Sequence, residues 1–123
     1  MYGLFGMFGR SREFQRFDHA LRGAGLHPRL VPEAVKLTIL KLLGKTGLGP
    51  NPYDAVSELL CYCMLGAQGF TEANDASLTQ AVEARLTDAL EAGDSLDARI
   101  ILLTLHANVI QPSVVERYGL EAG

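Results

Sequence analysis

The 123 residues include 48% hydrophobic and 20% charged side chains, a balance that fits one folded domain and excludes a wholly disordered chain. The longest apolar runs, such as residues 100–103, are far shorter than the roughly 20 residues that a membrane-spanning helix requires. The net charge of −3 conceals an imbalance, because residues 1–50 (the basic part) carry +5 and residues 51–123 (the acidic part) carry −8. Such asymmetry is typical of a basic binding surface beside an acidic one, or of two parts that pack together and compensate each other.

The first ten residues alternate large apolar side chains with glycine at every third position and end on Arg10. Each large apolar side chain left in water costs roughly 1.5–3 kcal/mol, so the segment needs a partner surface. We therefore expect residues 1–10 to form an apolar, glycine-rich arm and residues 11–120 to form a single helical domain. The arm residues expected to make contact are Leu4, Phe5, Met7, Phe8 and Arg10.

Glycine and proline divide the rest of the chain into segments whose apolar residues recur at helical spacing. The sequence predicts an all-α fold, a compact bundle of five main helices plus a short C-terminal helix. Asn51 is the expected N-cap of the third helix, and residues 66–70 are expected to form a loop. The predicted helices run from after Ser11 to before Gly25, from Pro32 to about Leu43, from about Pro52 to Leu65, from Asp75 to Ala92, from about Leu96 to Asn108, and from Pro112 to Gly119.

The first predicted helix has an apolar face and a basic face. Its apolar face is Phe14, Phe17, Leu21 and Ala24, and its basic face is Arg12, Arg16, His19 and Arg22. We expect the apolar face to enter the core. The basic face, next to the arm, is the expected interaction surface, and an anionic membrane surface is a second partner that it fits.

The third helix carries both cysteines, Cys61 and Cys63, two positions apart and so on nearly opposite sides of a helix. We expect Cys63 to face the core and Cys61 to turn aside. A disulfide between them is excluded on that geometry, which favours a reducing, cytoplasmic setting. Neither the cysteines nor the three histidines follow the spacing of a metal site, so no metal or cofactor is expected.

The fifth helix is apolar nearly all round, which predicts a central position in the bundle. Arg99 and His106 lie seven positions apart and so share one side of it. A central helix would oblige both to be paired or to face a cleft, which makes them a possible anion-binding pocket. The simpler interpretation is that this edge reaches solvent or that Arg99 pairs with a structural acid.

No motif in the chain indicates a particular enzymatic reaction. The sequence contains no G-x-S-x-G motif, no phosphate-binding loop and no nucleophile with a base placed beside it. No catalytic residue is therefore assigned. We expect a helical interaction or adaptor protein that binds a protein partner or a second copy of itself. The alternatives are a small helical enzyme or ligand-binding protein, and a peripheral membrane protein. The acidic part argues against nucleic acid as a partner.

Overall fold

A computed structural model describes residues 2–46 and 52–120, with side chains described for residues 12–44 and 52–120. The described chain is helical, with 81% helix and no strand among these residues, which confirms the predicted all-α bundle. No helix among them is long and apolar enough to cross a membrane. The helices are α1 (Tyr2–Gly23), α2 (Glu33–Thr46), α3 (Tyr53–Ala73), α4 (Ala76–Ala92), α5 (Leu96–His106) and α6 (Pro112–Tyr118), with a short 3-10 helix at Pro28–Leu30 between α1 and α2.

α1 begins at Tyr2, so the predicted start after Ser11 is wrong. A helix that is already nucleated gains one backbone hydrogen bond for each residue added, and this offsets the cost of about 1 kcal/mol at each glycine. The boundary predicted between arm and domain therefore falls inside a continuous helix. The side chains of Leu4, Phe5, Met7, Phe8 and Arg10 lie outside the described ones, and their role stays a prediction.

α1 ends as the sequence predicts, at a turn around Gly25. The N–H of Gly25 donates to the carbonyl of Arg22 at 3.1 Å, and the N–H of Leu26 donates to the carbonyl of Leu21 at 3.0 Å. This pair of bonds is a Schellman motif, which needs a residue in the left-handed conformation. Gly25 supplies it with φ of 99°. Asn74, at the end of α3, donates from Nδ2 to the carbonyl of Ala24 at 2.8 Å and holds the two helix ends together.

α3 is the central helix of the bundle and packs against α1, α4, α5 and α6. Its side chains from residue 59 to residue 63 are fully buried, so the expectation that Cys61 turns aside is wrong. Cys61 faces α1, where its Sγ lies 3.9 Å from the carbonyl oxygen of Leu21. The expectation that α5 is central is also wrong, because Leu102 on α5 is 48% exposed. Both helices are apolar in composition, and the packing of α1 and α6 against α3 helps to enclose α3.

The predicted loop at residues 66–70 is replaced by a single kink. Gly66 takes φ of 80° and ψ of 172°, and the helix continues beyond it to Ala73. The kink frees the carbonyl of Cys63, which accepts a hydrogen bond from the N–H of Gln111 at 2.8 Å. Phe70 is fully buried, and its burial keeps the second half of α3 on the core. The predicted cap of α3, Asn51, lies outside the described residues.

The turn between α4 and α5 is formed by local capping interactions. Gly93 ends α4 with φ of 77°, and the side chain of Ser95 accepts a hydrogen bond from the N–H of Ala98 to start α5. Arg85 on α4 then joins three helices. Its guanidinium donates to both carboxylate oxygens of Asp97 at 3.0 and 3.2 Å and to the carbonyl of Ala55 at 3.0 Å. A half-buried arginine with three hydrogen bonds to two other helices stabilises the fold.

Candidate docking surface

The two predicted faces of α1 are confirmed from residue 12 onwards. Phe17 and Leu21 are fully buried and Ala24 is 5% exposed, whereas Phe14 is half-buried. On the opposite side lie four residues that we call the basic face: Arg12, Arg16, His19 and Arg22. All four of these residues are exposed. α1 therefore uses its apolar side for the core from Phe14 to Ala24 and presents cationic groups to the outside.

A groove runs along the basic face, between α1 and the first half of α3; we call it the α1–α3 groove. Its upper cavity is about 620 Å³ and is lined by Arg12, Gln15, Arg16, His19, Ala20, Tyr53 and Asp54. Its lower cavity is about 270 Å³ and is lined by His19, Ala20, Gly23, Ala24, Asp54, Glu58 and Asn74. The two cavities share His19, Ala20 and Asp54 and therefore lie side by side, and the upper one lies in the size range of ligand sites in proteins, about 300–1,000 Å³.

The groove is polar and carries both signs of charge. Arg12 and Arg16 line its upper end, while Asp54 and Glu58 extend along α3 towards the lower end. Tyr53, which lines the upper cavity, packs its ring against the buried Phe17 with the centroids 6.4 Å apart. The α3 wall could not be found from the sequence, because Asp54 and Glu58 are indistinguishable there from ordinary solvent-facing residues, and only the fold places α3 beside α1.

The ion pairs between described side chains stay within one part of the chain. In the basic part, Lys36 Nζ lies 2.9 Å from Asp18 Oδ1. The pairs of the acidic part are Arg85 with Glu58 and Asp97, Arg99 with Asp94, and Arg117 with Glu83. None of these described pairs joins the basic part to the acidic part. The two parts do pack together, since α1 packs against α3 and α2 against α5, but no described ion pair joins them.

This distribution separates two kinds of arginine. Each arginine of the acidic part has a carboxylate within 4.0 Å. By contrast, Arg12, Arg16 and Arg22 form no ion pair with any described side chain. Within the described part of the chain, the basic face therefore keeps its guanidinium groups free for anionic groups from outside the fold.

Arg99 and His106, the two residues of the predicted anion-binding pocket, lie on the surface of α5. The Arg99 side chain is 56% exposed and its Nη2 lies 3.3 Å from Oδ1 of Asp94, which is itself 83% exposed. His106 is exposed at the end of α5. Neither residue lines the α1–α3 groove. Arg99 thus has the kind of partner that a surface arginine commonly finds, and anion binding at these two residues stays a prediction.

A second polar cluster joins α3, α4 and α6. The hydroxyl of Tyr62 donates to Glu83 Oε2 at 2.7 Å and lies 3.3 Å from the hydroxyl of Tyr118. The same Glu83 oxygen lies 2.8 Å from Nη1 of Arg117. Burial raises the pKa of Tyr62, helped by its hydrogen bonds to Tyr118 and Glu83. The Tyr62 phenol therefore stays neutral, and its hydrogen bonds help to hold α6 against the bundle. Sequence reasoning misses this cluster, since its members lie far apart in the chain.

Both cysteines are free thiols in the core. Burial raises the pKa of Cys61 and of Cys63 to about 12, so both stay protonated at neutral pH. A neutral buried thiol is a poor nucleophile and a poor metal ligand. Among the described residues, no group of three or more histidine, cysteine, aspartate or glutamate side chains is arranged to hold a metal ion.

Comparisons with protein family models, with curated proteins and with solved structures found no match.

Proposed function

We propose that this protein is a non-enzymatic helical interaction protein that docks a protein partner through α1, using its basic face and the α1–α3 groove. The observation that supports this most directly is the contrast between the arginines of α1, which pair with no described side chain, and the paired arginines of the acidic part. Guanidinium groups that the described fold does not pair remain available to an external carboxylate, with which arginine forms strong charged hydrogen bonds.

The character of the groove favours a polypeptide over a membrane or a nucleic acid. Phe17 and Leu21 are buried in the core, so from residue 12 onwards α1 has little apolar surface left for lipid. Asp54 and Glu58 in the groove would repel the uniform negative charge of a phosphate backbone or an anionic membrane. A protein segment carries both signs of charge, so its carboxylates can contact the arginines of α1 while its other groups lie beside Asp54 and Glu58.

Three further expectations belong to the same proposal. The apolar residues of the first turns of α1 would extend the docking surface, as anchors that a partner covers. A cytoplasmic location stays an expectation from the two cysteines. The enzyme or ligand-binding alternative at Arg99 and His106 draws no support from the cavities described above.

Photo-crosslinking in the cells that express the protein tests the proposal. A photoreactive residue replaces Gln15, which lines the upper cavity, or Lys41, which is exposed on α2 and serves as the control position. We expect a discrete protein adduct from position 15 and none from position 41. Adding Arg16→Glu should abolish the adduct, because it reverses charge beside the crosslinker.

Two results would contradict the proposal. One is the absence of any protein adduct at position 15 while the photoreactive residue is shown to be intact. The other is an adduct that consists of lipid or nucleic acid, which would assign the basic face to a different class of partner.

A further inference from the structure

The C-terminal end of α4 carries carboxylates that the described fold does not neutralise. Asp88 and Glu91 are exposed and form no ion pair with any described side chain. Glu91 lies in the last turn of α4, which contains no basic residue. The helix dipole is negative at this end and disfavours a further negative charge there. A cation supplied from outside would therefore be more favourable at this end than at a neutral surface.

The basic face of α1 is the complement of this acidic end. Arg12 and Arg16 are four residues apart on one face, about 6 Å along the helix, and Asp88 and Glu91 are three residues apart, about 4.5 Å along theirs. Arginine side chains are long enough to cover the difference. The described ion pairs do not join these two surfaces within one chain, so the complementary charges are available to a second copy.

We propose that the partner of the basic face is a second copy of this chain, whose α4 end places Asp88 and Glu91 against Arg12 and Arg16. This inference deepens the proposed function and depends on it. The contact joins two different surfaces, so it is head-to-tail, and it closes into a ring or grows into a filament instead of stopping at a symmetric dimer.

Light scattering with a charge swap tests the inference. One variant carries Arg12→Glu and Arg16→Glu, and the other carries Asp88→Arg and Glu91→Arg. Wild-type protein at low salt should show a mass above the 13.3 kDa of one chain, and it should return to 13.3 kDa in 1 M salt, where the screening length falls to about 3 Å. Each variant alone should stay monomeric, with self-association weakened at least about 100-fold, because like charges then face each other.

Mixing the two variants is the decisive step. The negative charges introduced at positions 12 and 16 of one variant then face the positive charges introduced at positions 88 and 91 of the other. The unchanged Asp88 and Glu91 of the first variant can likewise face the unchanged Arg12 and Arg16 of the second, so the mixture should assemble again. Lys41→Glu and Glu116→Arg serve as controls, since each reverses an exposed charge elsewhere and should leave assembly as in the wild type. Thermal unfolding followed by circular dichroism checks that every variant is folded.

The remaining outcomes separate this inference from the proposed function. A monomeric wild type at all concentrations overturns the inference, while a position-15 adduct with a foreign protein would still support docking through α1. Assembly that needs Arg12 and Arg16 but not Asp88 and Glu91 overturns the α4 contact alone. Assembly that survives reversal at Arg12 and Arg16 overturns the inference and removes support from the proposed function as well.

Discussion

Replacing Gly25 by alanine should weaken the junction that sets α1 against α3. Gly25 has φ of 99°, and a Cβ atom added to it would collide with Cβ of Ala73 at the end of α3. Two costs therefore add. The left-handed conformation costs a non-glycine residue about 1–2 kcal/mol, and forcing a methyl group into a filled space costs about 1–3 kcal/mol.

A smaller gain opposes these costs. Alanine reduces the conformational freedom of the unfolded chain relative to glycine, which is worth about 0.4–1 kcal/mol in favour of folding. The net expectation for Gly25→Ala is a loss of about 2–4 kcal/mol in the free energy of unfolding, measured by urea titration with linear extrapolation. Since a domain of this size has a total stability of about 5–15 kcal/mol, the loss is large enough to measure.

Two comparisons separate the costs. Gly93 also has a positive φ, of 77°, but a Cβ atom added there would have no neighbour within 4 Å. Gly93→Ala should therefore pay only the cost of the left-handed conformation, which lowers the free energy of unfolding by about 1–2 kcal/mol before the gain from the unfolded chain is counted. Adding Ala73→Gly to Gly25→Ala removes the collision and should recover about 1–3 kcal/mol as a coupling energy. Equal losses for Gly25→Ala and Gly93→Ala, with no coupling to Ala73, would refute the described contact between the ends of α1 and α3.

The remaining predictions concern buried groups and the α3 kink, and each is measured by urea titration. Ser57→Ala should raise stability by about 1 kcal/mol, because the buried Ser57 hydroxyl has no hydrogen-bond partner among the described residues; a loss of stability would contradict that. Gly66→Ala should lower the free energy of unfolding by about 2–4 kcal/mol, because φ of 80° with ψ of 172° is accessible essentially to glycine alone. Gly44→Ala, in a helix with open space around it, should raise the free energy of unfolding by up to about 1 kcal/mol. A more stable Gly66→Ala and a less stable Gly44→Ala would show that α3 is not kinked at Gly66. Burial raises the pKa of Cys61 and Cys63 from 9.0 to about 12. The free energy of unfolding should therefore be constant with respect to these thiols below pH 9 and should fall between pH 9 and 12, by up to about 1.4 kcal/mol per thiol and pH unit. A Cys63→Ala variant should lose less stability over this range, and an equal fall of stability with pH in variant and wild type would contradict the burial of that thiol.

The helix boundaries set by local chemistry could be predicted from the sequence. Gly25, Gly93 and Gly119 each follow a helix and take a positive φ, and Ser95 caps α5 through its own side chain. These signals act within a few residues, so the sequence displays them directly. The same kind of signal predicts a loop from Gly66. That glycine does break α3, but the buried Phe70 draws the chain back into a helix, and that is a tertiary effect.

Only one wall of the candidate site could be predicted. The basic face of α1 follows from helical spacing alone, and its exposed arginines are where the sequence places them. The opposing wall could not be found, because Asp54 and Glu58 lie far from α1 in sequence and only the packing of α3 brings them beside it. The same applies to Arg85, whose three hydrogen bonds to Asp97 and Ala55 mark it as structural only in the folded chain.

We infer that the arginines of the basic face serve a partner and not the fold. The most direct test is the free energy of unfolding of a variant with Arg12→Ala, Arg16→Ala and Arg22→Ala, measured beside wild type and Arg85→Ala at low salt. We expect a change within about 0.5 kcal/mol for the triple variant, as for surface residues without partners. For Arg85→Ala we expect a loss of about 1–3 kcal/mol, because that substitution breaks charged hydrogen bonds. A loss in the triple variant as large as that of Arg85→Ala would show that these arginines stabilise the fold, and the claim would be wrong.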